Sequence, residues 1–130
     1  MVIQLGHQIL DGKPPRLFIN SNKILRDFIY IDDVIQACIK ACNPRNSGIY
    51  NVGTGISRSF QDIADILQME LGTNLGTEYF VNPYEGYQID TKANIQYSID
   101  NLGFEPKVSL EQGINFYIPE IKRLHGTDMS

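Results

Sequence analysis

The chain has 130 residues, 42% of them hydrophobic, with 11 Lys+Arg against 15 Asp+Glu and a net charge of −4. That is the size of one ordinary domain; the balance argues against a general nucleic-acid binder, which needs a basic patch to capture phosphates, and is too mild for a disordered acidic tail. No apolar run is long enough to span a bilayer, and the first ten residues, MVIQLGHQIL, lack the basic leader and small-residue cleavage site of a signal peptide.

Those ten residues read instead as a helix, with Val2, Leu5 and Ile9 on one face and Gly12 at its end. An apolar strand seed, Leu17-Phe18-Ile19, runs into a polar bend, Asn20-Ser21-Asn22-Lys23. A second strand is expected at Phe28-Ile29-Tyr30-Ile31, with Arg26-Asp27 at its threshold. Asp32-Asp33 suits the cap and positive dipole end of a helix. That helix, VIQACIKACN, carries Val34, Cys38 and Ala41 on one face and stops at Asn43-Pro44. Ile49 to Val52 is a short buried-strand candidate, closed by Gly53-Thr54-Gly55. Ser59 and Asp62 have capping-box spacing. Phe60, Ile63, Ala64, Leu67 and Leu71 then follow the 3.6-residue period up to Gly72.

Thr77 to Val81 reads as a strand and residues 82–88 as an aromatic loop. A short helix is expected over Ala93–Leu102, ended by Gly103. Ser109 caps a last helix with Gln112 three residues on. Its apolar stripe is Leu110, Ile114, Tyr117, Ile121 and Leu124; Pro119 should bend or interrupt it, and the tail, 125–130, is expected to fray. Strands alternating with helices favour an α/β arrangement with some parallel pairing. Three or four short strands are too few to bury both faces of a parallel sheet, so the chain reads as part of a larger fold.

Cys38 and Cys42 are the only cysteines. Their i, i+4 spacing could put two metal ligands on one helix turn, but His7 and His125 are far away in sequence and no C-x-x-C exists. Small buried thiols in a reducing cytosol are the expectation, with no metal. Gly53-Thr54-Gly55 superficially suggests a dinucleotide loop, yet the third glycine of G-x-G-x-x-G would fall at Arg58, so a tight turn is expected there. The two histidines lack the context of a Ser-His-Asp set, and none of the seven tyrosines is followed four residues on by lysine. No catalytic residue can be assigned. The remaining constellation is Gln4, Phe18, Ile19, Asn20, Ser21, Arg26 and Tyr87. Singly these are helix surface, turn, strand end and loop aromatic. Together they offer what a nucleotide diphosphate needs: a guanidinium for phosphate oxygens, polar groups in a bend for sugar oxygens, and aromatic faces for a base.

These segments also carry a resemblance. RDFIYIDDV, then GIYNVGTG and a SFQDIADIL helix, resemble the C-terminal region of extended short-chain dehydrogenase/reductase proteins, the nucleotide-sugar epimerases, dehydratases and decarboxylases. More narrowly, RLFINSNKILRDFIYIDDV with YQIDTKANI and GFEPKVSLEQGINFYIPEI is similar to the ADP-L-glycero-D-manno-heptose 6-epimerase family. The resemblance covers nearly the whole chain. It implies a C-terminal substrate-binding portion over 1–124 of a Rossmann-type fold, without the N-terminal dinucleotide-binding half. It further implies an isomerase that inverts a sugar stereocentre by transient oxidation and re-reduction with NADP, for lipopolysaccharide inner-core heptose synthesis in the cytoplasm. The family's cofactor glycines, catalytic tyrosine and lysine lie upstream of the matched region, so this chain alone is expected to hold no cofactor and to be inactive.

The implied substrate contacts fall on Gln4, on the bend Phe18, Ile19, Asn20 and Ser21, on the diphosphate-facing Arg26, with Asp27 orienting it, and on Tyr87, which closes over the ADP-heptose. The sequence departs from the family at Ile19 and Asn20, where relatives often have an acidic residue and glycine. The implied partners are the Rossmann half or a full-length paralogue, in a homo-oligomer. Another nucleotide-sugar epimerase or dehydratase, or a non-catalytic assembly module, are the alternatives.

Overall fold

The computed structural model describes residues 1–43, 47–84, 86 and 89–128, without the side chains of 127 and 128. The elements run α1 (Val2–Leu10), β1 (Arg16–Phe18), β2 (Leu25–Arg26), α2 (Ile31–Ala41), β3 (Arg58–Ser59), α3 (Phe60–Leu71), β4 (Glu78–Phe80), α4 (Gln96–Leu102) and α5 (Leu110–Asp128). The architecture is α/β. β1 pairs in parallel with β4, Phe18 opposite Phe80, and β2 pairs antiparallel with β3, Arg26 opposite Arg58. Leu25 also bridges in parallel to Asp90.

Three helices make the main core because their apolar residues recur at helical spacing. Leu5 and Ile9 of α1, Ile63, Ala64 and Leu67 of α3, and Ile114, Ile118 and Ile121 of α5 are buried together. α1 and α5 approach so closely that a Cβ on Gly6 would lie 2.8 Å from Ile121 Cγ2. Ser59 and Asp62 form the expected reciprocal capping box, and Gly72 ends α3 in the left-handed conformation. Ser109 and Gln112 exchange the same pair of bonds at the start of α5. α5 runs as one helix through Pro119. It also passes the point where fraying was expected: His125 Nε2 lies 2.7 Å from Asp11 Oδ1 at the end of α1.

A second cluster joins Ala37, Ile95, Leu102 and Phe104, with Ile29, Tyr50, Val52 and Ala93 packed against it. Here the sequence reading needs four corrections. The second strand is Leu25–Arg26, and the backbone from Phe28 enters α2 at Ile31. The pairing comes earlier because Leu25 takes partners on both sides: Ser59 of β3 on one and, on the other, the segment 89–91, its N–H donating to Ile89 O (2.6 Å) and its carbonyl accepting from Thr91 N–H (3.1 Å). Asp33 caps nothing within its own helix; its carboxylate accepts from the N–H groups of Lys107 and Val108, both at 3.0 Å. That bond turns the inner face of α2 to Asp33 and Ala37 and leaves Cys38, Ala41 and Cys42 exposed, so neither thiol is buried. Residues 49–52 make no strand, and Ile49 is 92% exposed.

The core makes a direct claim on stability. Leu67 is 0% exposed, and Leu67→Ala should cost about 2–5 kcal/mol, the usual range for a buried leucine that leaves a cavity. Urea denaturation measures it; a loss below about 1 kcal/mol would show that α3 is not the centre of the core.

Candidate functional site

The bend after β1 is built by its own backbone. Ser21 is fully buried, and both its N–H (3.0 Å) and its hydroxyl (2.6 Å) donate to the Phe18 carbonyl. Asn20 sits at φ 66°, the left-handed region that favours glycine and tolerates asparagine. This accounts for asparagine at the tip of the bend. Ile19 is half exposed at the tip, its N–H donating to Phe80 O at 2.8 Å.

Alternation along β1 turns Leu17 into the core, while Arg16 and Phe18 share the opposite direction. A groove of about 370 Å³ lies between β1 and α1, lined by Gln4, Gln8, Arg16, Phe18, Phe60 and Phe80 among others. Its aromatic wall is continuous: Phe18 meets Phe80 edge to face at 4.9 Å, and Tyr84 lies 6.4 Å from Phe18. Arg16 lies over the Phe80 ring at 4.9 Å and pairs with Glu78 at 3.5 Å.

Arg26 is partly buried. Its Nη1 donates to the Leu25 carbonyl at 2.8 Å, and its guanidinium carbon sits 5.5 Å from the centroid of Phe60, a groove residue. Opposite it across the β2–β3 pair stands Arg58, and like charges placed so repel. Arg58 is neutralised. Glu111 takes both its terminal nitrogens (3.1 and 2.5 Å), and Asp62 accepts from Nε at 3.3 Å. The Glu111 hydrogen bonds raise the arginine's pKa above its ordinary value despite burial, and the same bonds hold the Glu111 carboxyl below the usual carboxylate range.

Asp27 belongs to a different set. Its Oδ1 accepts from Thr54 N–H (2.9 Å) and the Thr54 hydroxyl (2.5 Å), and its Oδ2 from Gly55 N–H (2.9 Å) and Ala93 N–H (3.2 Å). Gly53-Thr54-Gly55 is therefore the tight turn expected, and its amides already hold an anion supplied by the chain itself. A dinucleotide pyrophosphate does not fit there.

Of the expected site residues, the structure brings Gln4 and Phe18 into one groove, places Arg26 against its wall at Phe60, and uses Ser21 to shape the bend. Tyr87 lies outside the described residues. The sequence reading missed Arg16, Phe60 and Phe80. A period-two reading of Arg16-Leu17-Phe18 would have put Arg16 beside Phe18, whereas Phe60 and Phe80 need the tertiary pairing. Among the described residues no cluster of three His, Cys, Asp or Glu could hold a metal, and no helix is long and apolar enough to cross a membrane.

Comparison with known proteins places this geometry. Residues 1–53 match the NAD dependent epimerase/dehydratase family. The structure superposes on ADP-L-glycero-D-manno-heptose-6-epimerase of Helicobacter pylori with TM-score 0.82 and 38% identity, over 94% of this chain and 37% of that one. UDP-glucuronic acid 4-epimerase of Bacillus cereus, in complex with UDP-glucuronic acid and NAD, gives 0.84 and 29% over 95% and 40%. UDP-glucose 4-epimerase of Thermotoga maritima, with UDP-glucose, gives 0.83 and 25% over 95% and 39%. The fold is a partial epimerase fold of the extended short-chain dehydrogenase/reductase type. The chain spans about two-fifths of the length of these enzymes.

The Arg58–Glu111 pair predicts an acid dependence. Because the folded-state pKa of Glu111 is depressed, the pair's contribution is present above the unfolded-state pKa and is lost as pH falls through the folded one. Glu111→Gln should lower the melting temperature at neutral pH, and the gap to wild type should close in acid. A gap that stays constant on acidification would show that Glu111 acts by packing alone.

Proposed function

We propose that this chain is the substrate-binding portion of a nucleotide-sugar epimerase of the NAD dependent epimerase/dehydratase family. The observation that carries the reading is Arg26 set against the aromatic wall of the groove, its guanidinium carbon 5.5 Å from the Phe60 centroid. In this reading the Arg26 guanidinium is the cation that meets the diphosphate. Phe18 and Phe80 offer ring faces and edges to the nucleoside, Gln4 reaches the sugar from α1, and Ile19, Asn20 and Ser21 form the rim of the bend. Tyr87, outside the described residues, is the further substrate contact that the family resemblance implies.

Within the family the substrate is ADP-glycero-manno-heptose and the reaction inversion at its C6 centre, an isomerisation in the cytoplasm serving lipopolysaccharide heptose synthesis. The 38% identity to the Helicobacter pylori enzyme, against 25% and 29% to the two UDP-sugar enzymes, supports that choice. The intact enzyme uses NADP for the transient oxidation. The turn amides of 54 and 55 are bound to Asp27, so the 53–55 turn is no dinucleotide cradle, and the portion described is inactive without the cofactor half. A partner that supplies the cofactor half would also cover Ile31, Ile35, Ile39 and Ile49, which are 58%, 48%, 67% and 92% exposed. The assembled protein is a homo-oligomer.

Calorimetric titration of the chain with ADP-mannose and with UDP-glucose tests the reading. Saturable binding of the ADP sugar alone is expected, weakened about 10–100-fold in Arg26→Ala, the cost of a lost charge-assisted hydrogen bond. Binding of UDP-glucose instead would move the protein to a UDP-sugar enzyme. Binding of neither by the folded chain would overturn the substrate-binding role and favour an assembly module.

A further inference from the structure

Arg16 stands in the groove itself. It opens β1 opposite Glu78 of β4 in the parallel ladder, and its backbone N–H donates to Gln8 Oε1 at 2.8 Å, which ties the strand start to α1. The guanidinium carbon lies 4.9 Å from the centroid of the Phe80 ring, and Nε is 3.5 Å from Glu78 Oε1. The two charged side chains are 55% and 57% exposed, and ion pairs so open to water are weakly held. Arg58 makes the contrast: Glu111 takes both its terminal nitrogens and Asp62 its Nε. Arg16 has one carboxylate, beyond the usual hydrogen-bond length. Among the described residues that line the groove, it is the one with a charged side chain; Gln4 and Gln8 beside it are neutral.

We infer that Arg16 is a phosphate-binding residue of the groove, with Glu78 as the anion that a ligand phosphate displaces. The Phe80 ring holds the guanidinium by cation–π attraction, which consumes none of its N–H donors. Those donors suit phosphate oxygens, which a planar fork meets two at a time. Each phosphate of a sugar diphosphate carries its own charge, more than the Arg26 guanidinium balances by itself in a chain of net charge −4. Arg16 supplies the second cation. The inference deepens the nucleotide-sugar reading and rests on it for the identity of the ligand, whereas the exposed, ring-backed arginine stands on geometry.

The rival role is a cross-strand charge pair that only steadies the β1–β4 ladder. Glu78→Gln separates the two, because it removes the competing anion and keeps the shape. Calorimetric titration should show ADP-mannose bound about 2–5-fold more tightly by Glu78→Gln, the worth of a surface pair, and about 10–100-fold more weakly by Arg16→Ala. Arg16→Lys keeps the charge without the fork, so its melting temperature should match wild type while its affinity falls. Glu78→Gln should add nothing in an Arg16→Ala background. In the wild-type chain, inorganic pyrophosphate should shift the Arg16 Nε–H resonance saturably. The resonance of Arg123, exposed beside Glu120 on α5, should stay in place.

Unchanged or weaker binding by a folded Glu78→Gln chain overturns the inference, as does an equal response of Arg16 and Arg123 to pyrophosphate. ADP-mannose affinity lost in Arg26→Ala and kept in Arg16→Ala overturns it too, and leaves the nucleotide-sugar reading standing. Pyrophosphate bound through Arg16 by a chain that binds neither ADP-mannose nor UDP-glucose would support the phosphate site and remove that reading instead.

Discussion

The reciprocal hydrogen bonds of Ser59 and Asp62 decide where α3 begins, and most of the structure follows from that point. Ser59 is at once the last residue of β3 and the cap of α3, so its φ/ψ must satisfy a strand partner, Leu25, and a helix. Phe60 N–H completes the junction by donating to Ile24 O at 3.2 Å. Shift this start by one residue and Phe60 leaves the groove, while Ile63 and Leu67 rotate out of the core by roughly 100° of helix turn. A local pair of bonds, formed between residues three apart, thus sets both the packing of the helical core and the wall against which Arg26 lies.

Charge in the molecule is sorted by the same logic. Three groups drawn partly or wholly into the protein have specific opposites: Arg58 has Glu111 and Asp62, Asp33 has the amides of 107 and 108, and Asp27 has the turn. Buried charge without partners is costly. The chain avoids that cost largely with backbone N–H groups, which are rigid and carry no titration of their own. Where β3 and α3 meet α5, an arginine pairing does this instead, Arg58 with Glu111 and Asp62.

Legibility followed the range of the interactions. α1, α3 and α5 were readable because their apolar period, capping boxes and C-terminal glycines are local signals; the capping box at Ser59 and the left-handed Gly72 bracket a helix of 12 residues. The same locality made the Asn20 bend and the failed third glycine at Arg58 readable. The inner face of α2 was not, because Asp33 is turned inward by amides more than 70 residues away. Residues 49–52 have strand composition but no ladder partner among the described residues, and composition cannot supply one. The groove failed for a related reason: Arg16 and Phe18 are neighbours on one strand, yet Phe80 meets them only through a parallel pairing across some 60 residues. The partial-fold reading came from counting strands and from family resemblance together, and the superpositions bear it out.

The packing of α1 against α5 has a consequence for how the chain comes to be folded. Asp11 meets His125 across a separation of 114 residues, and the helices that carry them pack against each other in one core. α1 can pack on α3 first, but Leu5 and Ile9 reach their full shelter only when α5 is in place. Closing so long a loop is entropically slow. A half-built core, α1 on α3 with α5 still undocked, is therefore the species most open to self-association.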